Sequence, residues 1–138
     1  MRASYTDQFE HTLDEKRRLT IPAEWRDDGY EQQLFVIPSQ EGCLKVYPNS
    51  WMGALQEKIA HLPIGDPGRK KVERVAGIAQ KLVWDAQGRV RVKDELLSRV
   101  GVDRTVRLVG ALDHFEIWEP GLRAAAAPAG ATLEEMDI

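Results

Sequence analysis

The chain has 138 residues, 43% of them hydrophobic, enough for one ordinary core or for two small interlocked ones. A net charge of −3 and a pI near 5.6 exclude general coating of nucleic acid, since a molecule of that sign gains little from phosphate as a whole. A single cysteine, Cys43, excludes an intrachain disulfide and a thiolate zinc site, and neither a signal-peptide core at Met1–Asp7 nor an apolar run of roughly 18 residues is present, so a reducing cytoplasm is the expected setting.

Phe9, His11 and Leu13 alternate with Glu10 and Thr12, and Leu19 and Ile21 alternate with Arg18 and Thr20, the period of two half-buried strands around a short turn. Pro22 suits the first position of a short helix through Ala23-Glu24-Trp25-Arg26, and strands are expected at 34–37 and 43–47. Ser50 is placed to cap a helix whose Trp51, Leu55, Ile59 and Leu62 share one face until Pro63 stops it. After a turn at 64–68, a second helix over about 69–79 sets Val72, Val75 and Ala79 against a face of Arg69, Lys70, Lys71, Glu73 and Arg74, most simply a solvated face. Next, Val90 and Val92 alternate with Arg89, Arg91 and Lys93, which share the wet side of a strand, and Gly88 supplies the positive-φ residue of the preceding turn. Asp94 is placed to cap a helix at 95–100 ended by Gly101, strands are expected at 105–109 and 114–118, and an alanine-rich tail is expected to be mobile.

This order repeats. Asp14-Glu15-Lys16-Arg17-Arg18 answers Asp85-Ala86-Gln87-Gly88-Arg89 at an offset of 85 − 14 = 71 residues. Leu34-Phe35-Val36-Ile37 answers Val106-Arg107-Leu108-Val109 at an offset of 72, and Leu44-Lys45-Val46-Tyr47 answers Phe115-Glu116-Ile117-Trp118 at 71. The expected organisation is one unit at 5–50, connecting helices at 51–79, a second unit at 80–122 and a flexible tail at 123–138. Halves of roughly 60 to 70 residues bury too little surface to be independent, so packing on each other or on neighbouring subunits is expected.

Charge is concentrated at the two turns. Residues 14–22 carry Lys16, Arg17 and Arg18 against Asp14 and Glu15, and residues 85–93 carry Arg89, Arg91 and Lys93 against Asp85. Two readings of Asp-x-x-x-Arg stand side by side. In one, Asp14 and Asp85 close their turns and the arginines merely pair with them. In the other, Asp14, Asp85 and Gly88 stabilise the turns while Arg18 and Arg89 reach outward with a fork of donors suited to phosphate or to the O6 and N7 edge of guanine. Lys16 and Arg17 at the first tip, and Arg91 on the second strand, are candidate further contacts. Catalysis has little support: His11, His61 and His114 are scattered, and Asp113 and His114, as neighbours in a strand, face opposite ways. No nucleophile elbow, phosphate loop or dinucleotide glycine pattern is present, so no enzyme, metal, cofactor or small-molecule substrate is expected. Trp25, Trp51, Trp84 and Trp118 read as core or subunit-contact aromatics.

The two turns, Leu19-x-Ile21-Pro22, Tyr47-Pro48 before a helix and Phe115-Glu116-Ile117-Trp118 together resemble the MraZ family over about residues 5–122. The resemblance implies an α+β, mainly β fold: two tandem AbrB-like swapped-hairpin units forming a pseudo-symmetric double-ψ-like β-barrel with connecting helices. It implies a sequence-specific transcriptional regulator of the bacterial division and cell-wall gene cluster. Such a protein binds short G-rich direct repeats of double-stranded promoter DNA as an octamer-like ring in the cytoplasm, associated with the nucleoid. Carried onto this chain, the DNA-facing positions are Asp14, Lys16 and Arg18 in the first turn and Asp85 and Arg89 in the second. The family usually has glycine where this chain has Arg17, a substitution that costs roughly 1 kcal/mol if the position needs positive φ. The alternative function is a protein-interaction or scaffold module whose basic turns dock an acidic partner.

Overall fold

A computed structural model describes residues 3–122 and 133–136. Most of the tail expected at 123–138 lies outside the described residues; within it Leu133–Met136 forms a short 3-10 helix. The fold is α+β with strands predominating.

Strand β1 (Gln8–Thr12) and the two-residue β2 (Leu19–Thr20) flank the first turn, and a 3-10 helix at Ala23–Trp25 leads to β3 (Gln33–Pro38) and β4 (Leu44–Pro48). Helices α1 (Asn49–Ile59) and α2 (Pro67–Ile78) then carry the chain to β5 (Gln80–Val83) and β6 (Arg89–Val90), which flank the second turn. Helix α3 (Asp94–Arg99), β7 (Thr105–Gly110) and β8 (Phe115–Trp118) complete the order. All the expected elements are found, with ends shifted by one or two residues, or by three at the close of α1 and of β6, whose strand stops at Val90 short of Arg91–Lys93. The repeat extends to burial: β3 and β7 alternate buried and half-buried residues in the same six-position pattern, because both are inner strands with one face on the core.

Pairing crosses between the repeats. The six-stranded sheet runs β1-β7-β8-β4-β3-β5, antiparallel throughout, so β1 pairs with β7 of the second half and β5 with β3 of the first. β4 and β8 join the halves at the centre, Lys45 opposite Glu116, while β2 and β6 form a separate two-stranded ribbon. Neither half could therefore keep its own first strand paired without the other.

The core lies where the crossing strands enclose the 3-10 helix and α3. Trp25 is 1% exposed; its ring lies 4.8 Å from that of Phe115, 5.6 Å from Tyr5 and 5.2 Å from Phe9, and its Nε1 donates to Thr6 O at 3.1 Å. Leu19, Ile21, Val90 and Val92 come to the same core from below the ribbon. By contrast α1 and α2 contribute no buried side chain and lie on the outside.

Two cap expectations are corrected. Ser50 does not cap α1: Pro48 precedes the helix, and Ser50 turns instead to Glu31, its backbone N donating to Oε1 at 2.7 Å and its hydroxyl to Oε2. Asp94 does not cap α3 either; it is the first helical residue after Lys93, and its carboxylate points away to an arginine of the first repeat. Where an aspartate does cap, at α2, Asp66 accepts from the backbone of Gly68 and Arg69 at 2.9 and 3.1 Å, with Pro67 at the first position.

Candidate nucleic-acid interface

The two Asp-x-x-x-Arg turns carry the same hydrogen bonds, atom for atom. In the first, Arg17 N donates to Asp14 O at 2.9 Å and Asp14 N to Arg18 O at 3.1 Å; in the second, Gly88 N donates to Asp85 O at 2.8 Å and Asp85 N to Arg89 O at 3.1 Å. Asp14 Oδ1 accepts from Lys16 N and Arg18 N at 3.0 and 2.7 Å, and Asp85 Oδ1 from Gln87 N and Arg89 N at 3.0 and 2.9 Å. The other carboxylate oxygen takes the arginine Nε, at 2.8 Å in the Asp14–Arg18 pair and 2.9 Å in the Asp85–Arg89 pair. One short side chain thus satisfies the turn's backbone and orients the guanidinium.

These bonds set the carboxylate pKa values. Backbone donation from Arg18 is the largest reason that Asp14 is held below the usual carboxylate range, with the Arg18 guanidinium adding to it; Arg89 does the same for Asp85. Both aspartates therefore stay ionised wherever the protein is folded near neutral pH.

Fixing Nε leaves the far edge of each guanidinium for other work. Among the described residues no hydrogen bond engages the Arg18 Nη groups, and only Nη2 of Arg89 is engaged, donating to Gln87 Oε1 at 3.1 Å. Both Nη groups of Arg18, and Nη1 of Arg89, are left at the end of a braced side chain, an arrangement that suits a phosphate or guanine edge.

The ribbon brings both turns onto one surface. Leu19 lies opposite Val90 and Thr20 opposite Arg89, with Ile21 N donating to Gly88 O at 2.8 Å. Leu19, Ile21, Val90 and Val92 are at most 4% exposed, so the alternation places Arg18, Thr20, Arg89 and Arg91 together on the other, outer side. Leu19 and Val90 are themselves 71 residues apart, the repeat offset, so a local two-fold axis passes through this pair and relates the two arginines. Each arginine pairs with its turn aspartate, as the first reading expects, on the side of the ribbon away from the core.

The remaining candidates sort differently. Lys16 is exposed at the first tip. Arg17 reaches across the ribbon, its Nε 2.8 Å from Asp94 Oδ1, and Arg91 Nη2 lies 3.6 Å from the other oxygen of the same carboxylate. Gly88 has φ 78°, as its turn requires, and a Cβ there would come within 2.4 Å of Arg26 Nε. Arg26 was not marked by the sequence reading; its Nε donates to Ile21 O at 2.8 Å and braces the first repeat behind the second turn. Only the fold reveals it, since no local pattern links residues 26 and 88.

The other polar cluster lies away from the ribbon. Asp113 and His114 were expected to face apart, but His114 Nδ1 is 2.7 Å from Asp113 Oδ1, because Asp113 lies in the turn before β8, after Leu112 at φ 75°, and not in the strand. His114 Nε2 lies 3.4 Å from Glu116 Oε2, and its ring stacks on Tyr47 with centroids 4.5 Å apart. Burial works against the imidazolium, but Glu116 and Asp113 outweigh it and raise the pKa of His114; the same contact lowers that of Glu116. Ligand atoms of Glu41, Cys43 and Glu116 lie within 4.8 Å of one another, but Lys45 Nζ already serves this group, 2.6 Å from Glu41 and 3.9 Å from Glu116.

Comparison with known proteins places the chain in a family. Residues 5–74 match the family model described as "MraZ protein, putative antitoxin-like". The chain is 34% identical over 125 residues to the Transcriptional regulator MraZ of Thermomicrobium roseum, covering 89% of this chain and 87% of that protein. The chain belongs to the MraZ family. The Caulobacter vibrioides MraZ is 34% identical over 118 residues, covering 83% and 76% of the two chains, and that of Acidovorax sp. JS42 is 32% identical over 130 residues, covering 92% and 90%. The MraZ family model spans the first turn but ends before the second; the likeness to the Thermomicrobium protein, over 89% of the chain, cannot omit it. MraZ proteins are named as transcriptional regulators and not as enzymes. Among the described residues no helix is long and apolar enough to cross a membrane.

Proposed function

We propose that this protein is a sequence-specific DNA-binding transcriptional regulator of the bacterial division and cell-wall gene cluster, active in the cytoplasm at the nucleoid. It binds short G-rich direct repeats in the promoter of that cluster. Its two units, 5–50 and 80–122, are tandem SpoVT-AbrB-like folds that exchange their first strands in a pseudo-symmetric barrel; the pairing of β1 with β7 and of β5 with β3 supports that reading. Arg18 and Arg89 read the duplex. Lys16 adds a phosphate contact, Asp14, Asp85 and Gly88 hold the turns, and Arg17 and Arg91 border the surface.

One observation carries this reading: Nε of each turn arginine is fixed by its own aspartate, 2.8 and 2.9 Å away, and both guanidinium ends lie on the same outer side of one ribbon. A single ribbon with two such prongs binds weakly. A ring of subunits engaging successive repeats gains from high effective concentration, which suits an octamer-like assembly.

Promoter footprinting with the purified protein tests the proposal. Protection of regularly spaced G-rich repeats, with a steep salt dependence, is the expected result. Binding to an acidic protein without protection of promoter DNA would favour the scaffold reading and overturn this one.

A further inference from the structure

The ribbon is two-fold in its backbone but one-sided in its charge. The axis through Leu19 and Val90 sets the first turn beside residues 91–94, where Arg17 meets Asp94, and the second turn beside residues 20–23, where Ile21 N donates to Gly88 O. Equivalent positions, 71 residues apart, do not carry equivalent side chains. Lys16 and Arg17 stand in the first turn where the second has Gln87 and Gly88. Arg91 and Lys93 stand after β6 where Thr20 and Pro22 stand in the first repeat. Because the two strands run antiparallel, these extra cations all fall at the same end of the ribbon, together with Arg18, while Arg89 marks the other end.

The extra cations are held in place with their charged ends open. Asp94 braces Arg17 through Nε at 2.8 Å, as Asp14 braces Arg18 and Asp85 braces Arg89, and among the described residues no hydrogen bond engages the Arg17 Nη groups. Strand pairing stops at Val90, but the segment beyond it is fixed by one side chain: Gln80 Nε2 donates to Arg91 O at 3.0 Å, and Gln80 Oε1 accepts from Lys93 N at 2.9 Å. Pro22, at the place equivalent to Lys93, has no N–H and needs no such partner. The Arg91 side chain is 60% exposed and Lys93 is exposed. Asp14, Glu15, Asp94 and Glu95 offset part of this charge; at the other end Arg89 is accompanied by Asp85 and Glu24, and Arg26 is turned to Ile21 O behind the second turn.

We propose that the ribbon docks on a duplex in one direction, with the end that carries Lys16, Arg17, Arg91 and Lys93 making most of the phosphate contacts and the Arg89 end few. The proposal rests on the DNA-binding reading and adds the polarity that a direct repeat demands, since a ribbon symmetric in charge as well as in backbone would sit either way round. Each cation on phosphate adds about 0.9 to the salt slope whatever the sequence, so the excess orients the ribbon without reading a base.

The test attaches a DNA-cleaving iron chelate to the full chain at either of two equivalent exposed positions, Glu15→Cys or Ala86→Cys; Cys43 is fully buried and is not labelled. On promoter DNA the Glu15→Cys label is expected to cut on one flank of each protected repeat and the Ala86→Cys label on the opposite flank. Lys16→Gln, Arg17→Gly, Arg91→Thr and Lys93→Pro together give the first end the residues of the second, and Lys93 at φ −56° suits proline. In that background, at low salt, each label should cut on both flanks. Cutting on both flanks by each label without those substitutions, or one-sided cutting that survives all four, would overturn the inference and leave DNA binding standing. Should the labelled chains fail to fold or bind, the salt slopes of unlabelled Arg17→Gly and Arg91→Thr decide: each should fall by about 0.9, and unchanged slopes overturn the inference. A wild-type chain that binds no duplex removes the DNA-binding reading, and this one with it.

Discussion

Arg17 occupies in the first turn the left-handed backbone conformation that Gly88 occupies in the second, φ 62° against 78°. The two positions are 71 residues apart and make the same amide bond to the turn aspartate, so the conformation belongs to the turn and not to the residue. Replacing Arg17 by Gly should relieve about 1 kcal/mol of backbone strain. Against that stands the Asp94 ion pair, whose partners are 33% and 55% exposed, so that solvent screens most of its attraction. The expected net change is between zero and about 1 kcal/mol of added stability in urea denaturation. Gly88→Ala should do the reverse: the left-handed cost of about 1–2 kcal/mol is joined by a Cβ that displaces Arg26 from Ile21 O.

The turn aspartates tie stability to acid pH. Their folded pKa values lie below the unfolded ones, so their contribution is fully present above the ordinary carboxylate range and is lost as pH falls through the lowered folded values. Denaturation followed from neutral pH downward should show stability falling below about pH 4. Asp14→Asn with Asp85→Asn should flatten that limb. An unaltered acid limb would mean that other carboxylates govern it.

His114 acts on the opposite side of neutrality. Its folded pKa is raised, so the stability from its contacts with Glu116 and Asp113 is present below the unfolded value near 6.5 and is lost as pH rises through the higher folded value. His114→Gln should remove this alkaline decline. The measurement is urea denaturation from slightly acid to alkaline pH, alongside an NMR titration of the imidazole.

Trp25 anchors the crossing of the two repeats. Trp25→Ala should cost about 3–5 kcal/mol, since it opens a large cavity beside Phe115 and Tyr5 and leaves Thr6 O without its donor. Trp25→Phe should cost less. Calorimetric unfolding of both variants checks the order.

What could be read from the sequence was local or periodic. The alternation through Val90 and Val92, the glycine of the second turn and the Asp-x-x-x-Arg repeat each left a mark within a few residues; burial follows the alternation to Val92, although the paired strand itself stops at Val90. The contacts of Asp94 and Arg26 left no such mark. Arg17 reaches Asp94 across 77 positions and Gly88 packs on Arg26 across 62, distances over which no period or motif operates, and both depend on how the repeats cross. Asp113 and His114 depart from the strand period because they lie in the turn after Leu112, whose positive φ brings the two side chains together.

The central claim is that the Arg18 and Arg89 guanidinium ends meet DNA. Binding of the promoter duplex over a salt series, for the wild type and for Arg18→Ala and Arg89→Ala, tests it most directly. The account predicts that each folded variant loses about 1–3 kcal/mol of promoter affinity per base contact removed and about 1 from its salt slope. Two folded variants that bind the promoter as tightly as the wild type, with the same slope, would contradict it.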